Sequence, residues 1–114
     1  MHYGPTSFSK PVLFVEIGSS ETQWQDHIAI STVCEAIVWT IERESSARKI
    51  AIGFGGTHYS EKFTKIITDS DYALGAIIPK YALPNLDQSI LNQMITKSLE
   101  KVTHTIVDWK SIKK

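Results

Sequence analysis

The sequence predicts an α/β protein of three layers, with helices on both faces of a mostly parallel sheet. Three observations predict it. Short β-branched or aromatic runs alternate with stretches of helical period, in the order β-α-β-α-β-α-β. One of those runs ends in a glycine turn that leads straight into a helix start, the junction from which α/β proteins build sites at strand ends. The chain has 114 residues with ordinary apolar and charged content, enough for one domain with one core.

Residues 1–11 carry Gly4, Pro5, Thr6, Ser7, Ser9 and Pro11 and read as irregular. Val12 to Ile17 (VLFVEI) reads as a buried strand. Glu16 near its end is anomalous, because a carboxylate on a buried strand needs a partner or a role. An edge-facing, solvated Glu16 is the alternative. A turn over Gly18 to Glu21 precedes a helix from about Gln25 to about Glu44–Ser46, with Ile28, Val33, Ala36, Ile37 and Ile41 near one face. Cys34 lies in that apolar pattern and is expected to be packed. His27 reads as a surface residue.

Ile50 to Phe54 is the second strand. Gly53, Gly55 and Gly56 follow the pattern of a tight turn at its carboxyl end, and His58 and Tyr59 sit at the crest. Ser60 is the expected N-cap of a short helix over Glu61 to Thr68, packing through Phe63, Ile66 and Ile67. The glycine spacing matches neither the dinucleotide fingerprint nor the phosphate loop. A purely structural turn and a solvated His58 are the plain alternatives. Tyr72 to Ile78 is the third strand, ending at Pro79-Lys80-Tyr81. Leu86 to Lys101 is an amphipathic helix capped by Asn85 or Asp87, and Thr103 to Trp109 is a last strand with His104 as half-buried scaffold. Four strands are few for a three-layer domain. Parallel connections bring Glu16, the Gly55–His58 turn and Lys80 to one edge of the sheet, although Lys80 also reads as a plain surface residue.

Composition narrows the function. Net charge is zero, so charge gives no support of its own to nucleic-acid binding. Residues 1–57 hold four Lys/Arg against six Asp/Glu, and residues 58–114 hold eight against six. Lys110, Lys113 and Lys114 make a basic end that could meet phosphates or simply be solvated. No apolar run approaches the roughly 18 residues of a membrane span, so no membrane partner is expected. The N-terminus lacks the pattern of a signal peptide. One cysteine excludes an internal disulfide and suits a cytoplasmic protein.

Five segments together carry a resemblance. They are His2-Tyr3-Gly4-Pro5-Thr6, Phe14-Val15-Glu16-Ile17-Gly18-Ser19, Gly53-Phe54-Gly55-Gly56-Thr57-His58-Tyr59, Phe63-Thr64-Lys65 and Gly75-Ala76-Ile77-Ile78-Pro79-Lys80-Tyr81-Ala82. In order, over nearly the whole chain, they resemble the archaeal and plant type of D-aminoacyl-tRNA deacylase. Members are about twice this long, and the chain resembles their C-terminal half. It departs at Tyr3, where the family commonly has a second His. The resemblance implies a fold similar to peptidyl-tRNA hydrolases and phosphorylase/hydrolase-like α/β proteins. It implies hydrolysis of the ester between a D-amino acid and tRNA, recycling mischarged tRNA, and it implies zinc as cofactor.

Ester hydrolysis needs an activated water, an oxyanion stabiliser and help for the departing ribose oxygen. On that basis His58 is the expected general base or zinc ligand, with Gly55 and Gly56 N–H groups as oxyanion donors. Glu16 would orient His58 or ligate metal, His2 would be a second ligand, and Lys80 would neutralise a phosphate or the alkoxide. Tyr59 joins Gly55 and Gly56 as a substrate-binding candidate. The competing class is a non-catalytic α/β module that binds tRNA or self-associates, since a truncated core exposes apolar patches and favours a homo-oligomer. A small-molecule phosphorylase or peptidase rests on fold analogy alone.

Overall fold

The computed structural model describes residues 8–10, 12–18, 20–43, 46 and 49–113. They fall into two compact units, Leu13–Ser46 and the larger Met1–Val12 with Ala47–Lys114.

The smaller unit holds a one-turn helix α1 (Glu21–Trp24) and the 16-residue α2 (His27–Glu42). Asp26 caps α2, its carboxylate accepting from Ile28 N–H at 2.8 Å and Ala29 N–H at 3.4 Å. The helical period was correctly read, but α2 buries no residue. Cys34 is exposed, contrary to the packed position expected of it. The predicted first strand is also corrected: residues 12–17 form no strand, and Leu13 is 73 % exposed. A β-branched run becomes a strand only where a neighbour takes its hydrogen bonds and a layer covers its face.

In the larger unit the described residues form a three-stranded parallel sheet. Its strands are β1 (Lys49–Phe54), β2 (Tyr72–Ile78) and β3 (His104–Val107), in the order β2-β1-β3. Helix α3 (Glu61–Asp69) connects β1 to β2; a 3₁₀ turn (Lys80–Asn85) and α4 (Gln88–Thr96) connect β2 to β3. Ser60 caps α3 by accepting from Phe63 N–H, and Asp87 caps α4 by accepting from Ile90 N–H at 2.8 Å. A four-residue helix α5 (Trp109–Ile112) follows β3, which stops at Val107, short of the Trp109 expected as the end of the last strand. His104 is exposed on β3, not half-buried, and meets the Tyr72 ring edge-on at 5.3 Å.

Successive strand residues face opposite sides, which fixes the layering. Ile52 packs with Ala76, Ile78 and Met94 of α4. The next residue, Gly53, faces the other way, where a Cβ would lie 3.0 Å from the Phe63 ring of α3. Helices α3 and α4 thus cover opposite faces, as connections running in opposite directions from β1 require. Phe63 and Met94, each 1 % exposed, anchor the two faces. Burying each contributes about 1.5–3 kcal/mol. The expected α/β class, a parallel sheet between helical layers, is what the larger unit forms. Among the described residues no helix is long and apolar enough to cross a membrane.

Candidate active site

The glycine turn after β1 is held from two sides. Toward β2, Gly55 N–H donates to Ile78 O at 2.8 Å and Lys80 N–H donates to Gly56 O at 2.9 Å. The pairing of β1 with β2 therefore continues past both strand ends. Gly55 and Gly56 take φ of +98° and +75°, the left-handed region that glycine occupies without a steric penalty. Toward β3, Gly56 N–H donates to Ser111 Oγ at 2.7 Å. Ser111 Oγ donates in turn to Asp108 O at 2.8 Å, and Asp108 N–H donates to Phe54 O at 2.8 Å. A Cβ on Gly55 would stand 2.7 Å from Ser111 Oγ, so α5 lies directly against the turn.

This arrangement corrects one expectation. The N–H groups of Gly55 and Gly56 are both engaged within the chain, so in this conformation neither is an oxyanion donor. A strand-end turn must satisfy its own backbone first, and the neighbouring strand ends do that here.

Asp108 is the second anchor. It accepts from Ser111 N–H in the first turn of α5 and forms an ion pair with Lys62 of α3. Its side chain is only 7 % exposed. The Lys62 ammonium hydrogen-bonded to its carboxylate holds the Asp108 pKa below the usual value, against the opposing effect of burial.

His58 follows the turn and is half-buried. Its Nδ1 lies 3.3 Å from the Tyr81 hydroxyl, and its ring meets Tyr59 edge-on at 4.8 Å. All three side chains border a cavity of about 380 Å³ beside β2, whose wall includes Phe63, Ile67, Ala76, Ile78, Ile90 and Met94. That volume is in the range of small-molecule sites. Tyr81 was missed by sequence reasoning, which favoured its neighbour Lys80. The backbone of Lys80 is tied to Gly56, so the residue reaches the predicted edge, but its exposed side chain does not line the cavity. Glu16 is exposed in the irregular segment of the smaller unit, not at a strand end.

The zinc expectation names His2, Glu16 and His58. His2 lies outside the described residues. Among the described residues no three His, Cys, Asp or Glu side chains come together as metal ligands. His2 stands outside that set, and no reaction step is derived through a metal.

Comparison with known proteins bears on what this geometry serves. The chain is 44 % identical over 117 residues to a D-aminoacyl-tRNA deacylase of Methanococcus vannielii, covering 98 % of this chain and 44 % of that protein. It is 42 % identical over 113 residues to one of Pyrococcus abyssi, covering 98 % and 41 %. It is 40 % identical over 97 residues to one of Cenarchaeum symbiosum, covering 85 % and 38 %. The chain thus spans about two fifths of the length of these relatives. The family model described as D-aminoacyl-tRNA deacylase matches residues 1–114. With every residue inside that match, the chain belongs to the D-aminoacyl-tRNA deacylase family.

Proposed function

We propose that this chain carries the hydrolytic site of a D-aminoacyl-tRNA deacylase, cleaving the ester between a D-amino acid and tRNA and returning mischarged tRNA to use. The supporting observation is His58, set by a braced glycine turn at the rim of an apolar cavity, with its Nδ1 facing the Tyr81 hydroxyl. The names of the relatives supply the substrate class.

The tautomer in which Nδ1–H donates to Tyr81 puts the basic lone pair on Nε2. Nε2 takes a proton from water as the water oxygen bonds to the ester carbon. The tetrahedral intermediate then collapses, the bond to the ribose oxygen breaks, and Nε2–H returns the proton to that oxygen. Atoms and charge balance with one histidine serving as base and then acid. Lys80, exposed at the same edge, suits a terminal phosphate, and the 77 % exposed Tyr59 ring suits stacking on a base. A translation substrate and a lone cysteine favour the cytoplasm.

The test is release of the amino acid from D-tyrosyl-tRNA and L-tyrosyl-tRNA by the purified chain, with zinc and with chelator. D-selective release, reduced about 100-fold or more in a folded His58→Ala variant, is expected. Unchanged turnover in that variant removes His58 from the mechanism, and loss of release with chelator assigns a metal role to residues beyond those described.

A second reading, a non-catalytic module that self-associates or binds tRNA without cleaving it, draws on α2, where Ile28 is 79 % and Ile41 78 % exposed. Light scattering of the purified chain reads the homo-oligomer directly. Folded protein that binds tRNA and releases nothing in any arm would favour this reading.

A further inference from the structure

Helix α5 turns one face to the glycine turn and another to solvent. Asp108, Ser111 and Ile112, spaced three and one apart, share the first face. The Asp108 carbonyl oxygen and Ile112 Cγ1 each lie 3.1 Å from where a Gly55 Cβ would stand. Trp109 and Lys113, four apart, share the outer face with Lys110 beside them, and all three are exposed. Lys113 Nζ lies 5.8 Å from the centroid of the Trp109 ring, which is still 62 % exposed. Bracing the turn uses none of these three side chains. From Lys101 to Lys114 the chain has four lysines and one acid, Asp108. That acid is paired with Lys62 and its side chain is only 7 % exposed, so it offsets little of the charge of the patch.

A flat indole flanked by ammonium groups suits one chemistry above others. A nucleobase stacks on the ring, because every base has a π-face, and the phosphates joined to it meet the lysines. An acidic peptide would satisfy the ammonium groups and leave the indole in water. Position agrees. Helix α5 follows β3, the turn carrying His58 follows β1, and Tyr81 and Asn85 of the cavity wall follow β2, so all lie at the carboxyl edge of the parallel sheet. In the order β2-β1-β3 the turn stands between the cavity and α5, and the outer strands are roughly 10 Å apart. An RNA strand whose last nucleotide reaches His58 can therefore cross the turn and lie on α5. An aminoacyl-tRNA ends in such a strand, unpaired. We infer that the outer face of α5 receives the unpaired end of the tRNA, with a base stacking on Trp109 and phosphates meeting Lys110 and Lys113. The inference rests on the deacylase reading, and it adds a contact surface on the other side of the turn from the cavity.

The probes are a labelled RNA hairpin with a short unpaired 3′ end, the same hairpin cut back to a blunt end, and poly-glutamate as competitor. Fluorescence anisotropy at low salt reads their Kd on the purified chain. The overhanging hairpin should bind about tenfold or more tighter than the blunt one. Trp109→Ala should remove about tenfold of the overhang affinity and leave the blunt hairpin as it was, with circular dichroism confirming the fold. Trp109→Phe, which keeps an aromatic ring, should recover part of the loss. Lys110→Ala combined with Lys113→Ala should make the slope of log affinity against log salt shallower by about 1.4. Equal binding of the two hairpins, unchanged binding in folded Trp109→Ala, or an unchanged salt slope in the lysine variant would overturn the surface. So would displacement by poly-glutamate as readily as by unlabelled overhanging hairpin. Hydrolysis of D-tyrosyl-tRNA with the same kcat/KM in Trp109→Ala as in the parent would overturn it too, while leaving the deacylase reading in place. Overhang-selective binding that Trp109→Ala removes, in a parent that hydrolyses nothing, would support the surface and count against the deacylase reading alone.

Discussion

Gly56 and Ser111, 55 residues apart in sequence, are joined by a 2.7 Å hydrogen bond from backbone N–H to serine Oγ. The bond places the start of α5 under the turn that carries His58. Residues 108–111 thereby act as a brace for the candidate site, although none of them lines the cavity.

Removing the brace has a defined cost. Ser111→Ala leaves a buried N–H without its acceptor, and a loss of about 1–3 kcal/mol is expected from the urea midpoint. Gly55→Ala should cost about as much from positive φ alone, and more from its contact with the Ser111 hydroxyl. Because that contact is shared, the double variant should lose less than the two single losses combined. Strict additivity would show that the Ser111 hydroxyl does not press on the turn.

What was legible in the sequence was local. Ile50 to Thr68 reads correctly because an apolar run, two glycines, a serine cap and an apolar helical face each act within a few residues. The brace was hidden because Ser111 looks like any polar residue in a basic tail, and Asp108 interrupts what reads as one apolar strand. Residues 12–17 misled for the opposite reason. Their β propensity is real, but a strand is a property of a pair, and no partner strand takes them among the described residues. At the candidate site, the glycine turn and the place of His58 just beyond it were legible from the chain alone. Tyr81 was not, because its link to His58 crosses 23 residues and depends on how the 3₁₀ turn after β2 is rotated.

The Lys62–Asp108 ion pair makes stability depend on pH with a definite sign. The native Asp108 carboxyl has a pKa below its unfolded value of 3.8, so it binds a proton less readily folded than unfolded. Its stabilisation is complete above about pH 3.8 and is lost as pH falls through the native pKa. Lys62→Met removes the principal cause, so the Asp108 titration followed by carbon NMR should move up toward the usual value. The variant should be less stable than the parent at neutral pH, with the gap closing in acid. An unmoved titration would mean that the Ser111 hydrogen bonds, not Lys62, hold the carboxylate.

Lys80 is expected to act through charge in bulk solvent, since its side chain is exposed and outside the cavity. Lys80→Ala should raise KM for aminoacyl-tRNA several-fold and leave kcat nearly unchanged. If it meets one phosphate, the slope of log affinity against log salt should become shallower by about one. A fall in kcat with constant KM would instead place Lys80 beside the departing oxygen.

Tyr81 is a positioning residue in this scheme, and its test separates that role from simple packing. Tyr81→Phe keeps the ring at the cavity rim and deletes only the hydroxyl that lies 3.3 Å from His58 Nδ1. In the tautomer in which Nδ1–H donates to that hydroxyl, the lone pair sits on Nε2. Without it the two tautomers lose that bias, so fewer molecules present the reactive lone pair in the same orientation. The expected result is a kcat lower by about tenfold, with KM little changed because the apolar rim is intact. Nitrogen NMR of the His58 ring should show the Nδ1–H form predominating in the parent and a more even mixture in Tyr81→Phe. A tautomer ratio that does not move would assign the Tyr81 hydroxyl no part in orienting His58, whatever happens to the rate.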